Sequence, residues 1–199
     1  MKSSIHIISL TIIFCFCFNY SFSQQQKESN EAFRPEHLLS VVISHAQVFQ
    51  GRDIDGNKKV LSLPSWGLDY TYQFKPKWGI GLHTDIITET FEVEKHLENG
   101  NNGEVIERSY PIAPALMGIY KANKNWVFLL GAGVEFAKEG NFFLNRAGVE
   151  YGVELPKGWD VFGSLSYDFK WNVYDTWLLG LGITKVLGWK KHATASEKD

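Results

Sequence analysis

The stretch Ser65–Lys75 reads SWGLDYTYQFK, and it decides the fold. Its even positions are Trp, Leu, Tyr, Tyr and Phe, whereas its odd positions are Ser, Gly, Asp, Thr, Gln and Lys. Side chains on a β-strand alternate between two faces, so this pattern predicts a strand with one apolar face and one polar face.

The same alternation recurs along the rest of the chain, in residues 38–49, 80–86, 115–121, 126–136, 146–155, 161–171 and 177–184. It predicts about eight strands and no helix. The fourth strand is expected only from residue 115, because Pro111 and Pro114 cannot donate to a β-ladder. After the third strand, Phe91 and Val93 fall on odd positions, which indicates a bulge near Thr88–Thr90 or a strand that leaves its apolar surroundings.

The connections between these strands alternate in length. Tight turns are expected at Pro76–Lys77, Asn123–Asn125 and Pro156–Gly158, each followed directly by a tryptophan. The longer connections are Gly51–Pro64 and Leu97–Arg108, and shorter ones cover residues 137–141 and 172–175. In an up-and-down meander alternate turns lie at the same end, so the tight turns should gather at one end and the longer loops at the other.

Composition excludes several classes of protein. The chain has 199 residues, with 20 Lys and Arg against 22 Asp and Glu, and it therefore lacks the basic footprint of a nucleic-acid-binding protein. An aromatic content of 15% excludes wholesale disorder. After residue 23 the apolar runs are too short for a membrane-spanning helix.

Residues 1–23 are predicted to be a signal peptide. Lys2 supplies the positive charge, Ile5–Phe18 the apolar core, and Ser21–Ser23 the small residues of a cleavage site. An uncleaved anchor is the alternative, although about 14 apolar residues are few for it. Both cysteines, Cys15 and Cys17, lie in this segment, so the exported chain should contain neither a disulfide nor a Cys-ligated metal. A periplasmic segment (24–36), a barrel (37–189) and a polar tail (190–199) should follow.

The volume of the apolar face decides which way it points. Eight strands with four or five bulky residues each give roughly 35 large apolar side chains, and an eight-stranded barrel encloses far less volume than that. The apolar face should therefore contact lipid, and strands of about ten residues suit a tilted crossing of the bilayer. The alternative is a soluble barrel of the lipocalin kind or a sandwich, which would expose large apolar patches to water.

Tryptophans cluster at the predicted strand ends, as in the aromatic girdles at the two membrane interfaces. The predicted girdle consists of Trp66, Trp78, Trp126, Trp159, Trp171, Trp177 and Trp189.

The export signal, the eight amphipathic strands, the tight turns at one end and the aromatic-flanked final strand together resemble the small outer-membrane β-barrel family. This family includes the OmpA-type and OmpX-type barrels and related domains of bacteria with a Bacteroides-like envelope. The resemblance spans roughly Glu36–Trp189 and carries no diagnostic motif. Members often end at an aromatic residue that closes the last strand, whereas the polar segment Lys190–Asp199 follows Trp189 here.

The resemblance implies an all-β, up-and-down antiparallel transmembrane barrel in the outer membrane. It also implies a monomer with both termini in the periplasm, surrounded by outer-membrane lipid and lipopolysaccharide and inserted by the barrel assembly machinery.

The polar face of the strands carries charges of both signs, which should lie in the lumen. Charges removed from water need partners, so these residues are predicted to pair with one another and to plug the barrel. The alternative is a path for ions or small solutes, which would favour cations because acids outnumber bases. The predicted lumen network consists of Asp69, His83, Asp85, Glu135, Arg146, Glu150, Glu154, Asp168 and Lys170.

No catalytic, metal or cofactor site is expected. His83 and Asp85 share a face, but the chain offers them neither a second histidine in phase nor a cysteine. His45 lies near the outer interface, where a lipid A-modifying hydrolase would need a serine and an acid beside it, and Ser44 is on the opposite face. Asp53–Asn57 resembles the start of a calcium loop, although its twelfth position is Pro64.

The predicted function is therefore structural or adhesive, with a plugged polar lumen and two longer loops displayed on a rigid barrel. The alternatives are a lipid A-modifying enzyme and a narrow cation-preferring channel. The sequence identifies no ligand for the loops.

Overall fold

The computed structural model describes residues 33–52, 57–94, 104–171 and 173–187. The predicted signal peptide, most of the segment 24–36, Trp189 and the tail 190–199 lie outside these residues. No described helix is long and apolar enough to cross a membrane.

The described residues form ten strands: β1 (Glu36–Arg52), β2 (Lys58–Lys75), β3 (Trp78–Ile87), β4 (Thr90–Glu94), β5 (Val105–Ser109), β6 (Ile112–Lys121), β7 (Trp126–Ala137), β8 (Gly140–Leu155), β9 (Trp159–Lys170) and β10 (Thr176–Leu187).

Eight of these strands close into an antiparallel barrel. Their hydrogen-bonded order is β10-β9-β8-β7-β6-β3-β2-β1, and β10 pairs in turn with β1. The closing ladder runs from the pair of His37 with Leu187 to the pair of Val48 with Thr176. Sequential neighbours pair throughout, apart from an insertion between β3 and β6. The predicted up-and-down barrel of eight strands is thus confirmed.

The fourth barrel strand, β6, begins three residues earlier than its prolines suggested. Pro114 lies within the strand opposite Thr84 of β3. On the other side, Ile112 pairs with Phe136 of β7 and Ala115 pairs with Gly133, so the register is unbroken across the proline.

The large apolar side chains of the barrel point outward. In β10, Leu179 and Leu181 are 63% and 73% exposed, whereas the neighbouring Leu178 is 4% exposed. Exposed apolar side chains recur in this alternating pattern on all eight strands. The lipid-facing direction predicted from side-chain volume is correct, and the alternative of an enclosed apolar face is wrong.

The two ends of the barrel differ in their connections. The turn end carries the β2–β3, β6–β7 and β8–β9 turns, together with Glu36 and Leu187, where the first and last barrel strands begin and end. The loop end carries the β1–β2, β3–β6, β7–β8 and β9–β10 connections. One loop-end connection is shorter than predicted, because Ala137 pairs with Gly140 and only two residues separate β7 from β8.

A short hairpin, β4–β5, is inserted between β3 and β6 and is called the cap hairpin below. It contacts the barrel where Val93 pairs with Gly51 of β1. The structure corrects the predicted bulge near Thr88–Thr90, since β3 ends at Ile87 and a new strand begins at Thr90. The change of parity at Phe91 and Val93 reflects this new strand, whose apolar side chains are 5% and 0% exposed.

The described parts of the two long connections predicted at the loop end are mostly strand. β1 and β2 continue as a ladder to the pair of Arg52 with Lys58, and only residues 53–56 lie outside the described part of this connection. In the second connection, Val105–Ser109 forms β5, while residues 95–103 lie outside the described part. Strand pairing therefore replaces the described part of the expected loops.

Candidate functional site

An apolar cluster fills the lumen at the loop end. The ring of Phe91, on the cap hairpin, meets the ring of Tyr174 edge-on, with 5.9 Å between the centroids. Tyr174 belongs to the β9–β10 connection, so two separate segments fold over the mouth of the barrel and close it. The buried members of the cluster are Ala46, Val48, Leu63, Ile87, Phe91, Val93, Val173, Tyr174 and Leu178.

A buried ionic network lies directly beneath this cluster. Glu135 Oε1 accepts hydrogen bonds from Arg108 Nε (3.1 Å) and from the hydroxyl of Tyr174 (2.6 Å). Its second oxygen lies 3.2 Å from Lys170 Nζ, which also donates to Thr176 Oγ1 at 2.6 Å. All of these residues are at most 2% exposed. Such burial is favourable only when each charge is paired, and here each is.

A second ionic group crosses the middle of the lumen. Arg146 of β8 binds Asp168 of the neighbouring strand β9 in a bidentate manner, through Nε at 2.6 Å and Nη2 at 2.7 Å. Its remaining nitrogen, Nη1, forms a salt bridge with Asp85 of β3. Since β3 is not adjacent to β8 in the sheet order, this arginine ties together two separate parts of the barrel wall.

The polar residues on the turn-end side of Arg146 are more loosely connected. Asp69 and His83 pair across β2 and β3, with 3.7 Å between His83 Nδ1 and Asp69 Oδ2. The other ring nitrogen of His83 lies 3.3 Å from Thr71 Oγ1, and the amide of Thr84 donates to Asp69 at 3.3 Å. Glu150 faces the open part of the lumen and lines its cavities.

Two neighbouring cavities, which share lining residues, occupy this half of the lumen. The larger has a volume of about 100 Å³ and reaches the turn end at Lys77 and Lys124. The smaller, of about 30 Å³, continues to Arg146 and shares His83, Leu129 and Glu150 with the first. Each is large enough to hold water. Water can therefore enter from the turn end, whereas the ionic groups and the apolar cluster fill the remainder.

The structure divides the predicted lumen residues by depth. Glu135 and Lys170 lie under the cap, Asp85, Arg146 and Asp168 in the middle, and Asp69, His83 and Glu150 beside the cavities. Glu154 lies at the turn-end rim, where its side chain is 58% exposed and pairs with Lys121 at 3.1 Å.

Sequence reasoning missed Arg108 and Tyr174, which complete the network under the cap. Arg108 was assigned to a long loop, and the strand that carries it has only five residues. An alternation that short is a weak signal, although the parity change at Phe91 did mark the start of the cap hairpin.

Aromatic side chains form pairs on the outer wall at both ends of the barrel. At the turn end, the ring centroids of Trp78 and Tyr120 lie 4.8 Å apart, and those of Trp126 and Tyr151 lie 5.0 Å apart. At the loop end, Trp177 lies 4.8 Å from Tyr167. The six described tryptophans of the predicted girdle are 39–56% exposed: Trp66, Trp78, Trp126, Trp159, Trp171 and Trp177.

The two histidines considered above lie on different faces of the barrel wall, and His83 is the one that faces the lumen. His45 is exposed on the outer wall, between Leu179 of β10 and Pro64 of β2. In the part of the chain that the structure describes, no three His, Cys, Asp or Glu side chains are placed to hold a metal ion. Residues 53–56 of the calcium-like stretch lie outside that part.

The cap hairpin is also held from its outer side. Glu139, in the β7–β8 turn, accepts hydrogen bonds from the Ser109 hydroxyl at 2.7 Å and from the Ser109 amide at 3.1 Å. These bonds stabilise the ionised carboxylate and hold the pKa of Glu139 below its ordinary value. The hairpin is therefore attached to the barrel from two sides.

No family model matches the sequence, and no curated protein is similar to it. Among solved structures, Ail of Yersinia pestis in complex with the heparin analogue sucrose octasulfate is 17% identical, with a TM-score of 0.47 over 76% of this chain and 99% of Ail. OprG of Pseudomonas aeruginosa is 16% identical, with a TM-score of 0.46 over 76% and 95%. Neisserial surface protein A is 11% identical, with a TM-score of 0.45 over 77% and 99%. The closed strand order and the outward apolar face identify the chain as an eight-stranded β-barrel of the outer-membrane type.

Proposed function

We propose that this chain is an outer-membrane protein that does not conduct, and that its barrel is a rigid support for the hairpins at its loop end, in a structural or adhesive role. The observation that carries this proposal is the filled lumen. Arg146 joins β8, β9 and β3 across the bore, and the network around Glu135 closes the space between it and the apolar cluster.

The loop end offers the surface for such a role. The β1–β2 ladder extends beyond the pair of Val48 with Thr176 at which β10 begins, so both strands project past the barrel wall. On the cap hairpin, Glu92 lies opposite Glu107, and both side chains are exposed. Binding residues are commonly found on segments that a rigid scaffold holds in place, as the barrel holds these hairpins.

We infer that the loop end faces the exterior and that both termini are periplasmic, after export by the signal peptide. The position of Glu36 and Leu187 at the turn end supports this orientation. The alternating outward residues Trp177, Leu179 and Leu181 of β10 supply a pattern that the barrel assembly machinery could read. The protein is expected to be a monomer in contact with outer-membrane lipid and lipopolysaccharide.

Planar-bilayer recording tests the closed lumen. The purified protein should give no conductance steps, because the described ionic groups and the apolar cluster occupy the bore between the cavities and the loop end. Reproducible steps with cation preference would overturn this part of the proposal and favour the narrow channel.

Cysteine labelling of intact cells tests the orientation, since the chain has no cysteine after Cys17. A membrane-impermeant maleimide should label Lys59→Cys at the loop end and leave Lys124→Cys at the turn end unlabelled. Both side chains are exposed, so accessibility within the protein is matched. Labelling of Lys124→Cys alone would reverse the assigned orientation.

Because the strand-pair partners of His45 are a leucine and a proline rather than a serine or an acid, we propose that the protein has no lipid A-modifying activity. Deletion of the gene should leave the acylation pattern of lipid A unchanged. A change that is restored by the wild-type protein but not by His45→Ala would contradict this expectation.

A further inference from the structure

Among the described residues, the fully buried cations of the lumen all have acidic partners, whereas two acids of the turn-end half lack a cationic one. From Arg146 to the loop end, three cations form ion pairs with three acids: Arg108, Arg146 and Lys170 with Asp85, Glu135 and Asp168. These six side chains neutralise one another and leave no charge for a ligand.

On the turn-end side of Arg146, two acids remain without a matching cation. Asp69 has a hydrogen bond from the amide of Thr84 and a histidine at 3.7 Å. Glu150 is without a side-chain partner among the described residues, and it lies in the same chamber as Asp69, so the two carboxylates would repel each other when both are ionised. A cation placed beside them would relieve this repulsion.

The space beside Glu150 is suited to a small ligand with an apolar part. The cavity of about 100 Å³ is lined by apolar side chains, among them Ile119, Leu129 and Phe162, and by hydroxyl groups of Ser40 and Thr184. A wall of this mixed composition, with few polar groups at fixed positions, is typical of small-molecule sites.

The mouth of the cavity is close to electrically balanced. Lys77, Lys121 and Lys124 lie there together with Glu154 and Asp160, and one of these pairs is a salt bridge. The floor, rather than the mouth, therefore decides the sign of charge that the cavity favours. Since much of the wall beside Glu150 is apolar, the favoured cation is an organic one with an apolar part.

We propose that the turn-end half of the lumen is a binding cup for a small organic cation, namely a primary ammonium ion with a short alkyl chain. The ammonium group lies beside Glu150, with Asp69 as the second acid of the same chamber. The alkyl chain lies against Leu129 and Phe162. This site is independent of the role proposed for the loop end, because it opens at the opposite end of the barrel.

Titration of the purified full chain in detergent micelles near neutral pH tests the cup, with n-butylammonium as the probe and n-butyrate as a control of equal length and opposite charge. Amide resonances of Gly152 and Phe162, which line the cavity, should shift saturably with butylammonium only. Shifts of equal size with butyrate, or an absence of saturation, would overturn the proposal.

Two isosteric variants and one matched control locate the cation. Glu150→Gln should weaken butylammonium binding by at least about tenfold, which corresponds to about 1.4 kcal/mol, and Asp69→Asn should weaken it by a smaller factor. Glu92→Gln changes an exposed acid on the cap hairpin, at the opposite end of the barrel, and should leave the affinity within about twofold. Equal affinity in wild type and Glu150→Gln, with both shown to be folded by their heat-modifiable gel shift, would refute the cup.

Discussion

Glu135, an inward residue of β7, binds Arg108 of the cap hairpin, and two nitrogens of that guanidinium donate to the same carboxylate oxygen. The guanidinium also lies over the ring of Phe142, 4.3 Å from its centroid, and donates to the carbonyl of Gly140 at 2.8 Å. The hairpin is therefore anchored to the barrel wall by a buried, fully paired cation as well as by apolar packing.

Removing the charge of Glu135 should destabilise the barrel strongly. Glu135→Gln leaves Arg108 and Lys170 buried with a neutral amide between them, and breaking a buried ionic pair in this way costs about 3–5 kcal/mol. We expect the free energy of unfolding, measured by urea titration in lipid vesicles, to fall by that amount.

The salt bridge at the turn-end rim provides the control for this experiment. Glu154 and Lys121 are 58% and 31% exposed, and an exposed pair contributes about 0–1 kcal/mol. Glu154→Gln should therefore change the free energy of unfolding much less than Glu135→Gln does. Equal losses in the two variants would show that the network under the cap contributes no more than a surface pair.

The outer attachment of the cap hairpin should depend on pH. The pKa of Glu139 is lowered by its bonds from Ser109, so its stabilising contribution is complete above the ordinary glutamate pKa and is lost as the pH falls through the lowered value. The amide resonance of Ser109 should titrate with a midpoint below the ordinary glutamate pKa.

The variant Glu139→Gln serves as the reference for this titration, because it keeps the shape of the side chain and has no proton to bind in this range. The acidic transition of the Ser109 amide should be absent from it. A midpoint at or above the ordinary glutamate value in the wild type would contradict the assigned cause.

The period-two pattern predicted the strands, their outward faces and the inward position of Arg146, because the face of a side chain follows from its place in a strand. It could not predict that Arg146 meets Asp85, since that contact joins strands that are not neighbours. Contacts across a lumen depend on the tilt and stagger of the strands, which alternation does not contain.

The alternation of apolar and polar residues does not predict the cap hairpin, for a different reason. Its strands have five residues each, and its buried face contacts the lumen of the barrel rather than lipid. Phe91 and Val93 therefore resembled an irregularity in β3, and Arg108 resembled a loop residue. A segment that folds over another element shows its burial only in the assembled structure.

β6 and β7 approach each other so closely at Gly133 that a side chain there would collide with the backbone of β6. A Cβ atom at Gly133 would lie 2.6 Å from Ala115 Cα and would also collide with the carbonyl oxygen of Pro114. Because the obstacle is backbone, Gly133→Ala should lower the free energy of unfolding by about 1–3 kcal/mol or more.

Gly163 of β9 is the matched position for that variant. A Cβ atom there would lie 3.8 Å from Leu181 Cδ2, which is an ordinary contact. Gly163→Ala should change the free energy of unfolding by less than about 0.5 kcal/mol. If the two alanine variants are equally stable in vesicles, the spacing of β6 and β7 is not the constraint described.

Arginine substitutions at two neighbouring residues of β9 test whether the apolar wall faces lipid. Leu165 is outward and 40% exposed, whereas Ser166 lines the smaller cavity of the lumen. An arginine at the lipid-facing midplane costs about 2–4 kcal/mol, and this cost falls to about 0–1 kcal/mol near the interfaces. Leu165→Arg should therefore lower the free energy of unfolding in vesicles more than Ser166→Arg, which places the cation near the acids of the lumen. Leu155, at the end of β8, lies on the same outer wall but at the turn-end interface, so Leu155→Arg should be tolerated. If Leu155→Arg lowers the free energy of unfolding as much as Leu165→Arg does, depth in the membrane is not the cause of the loss.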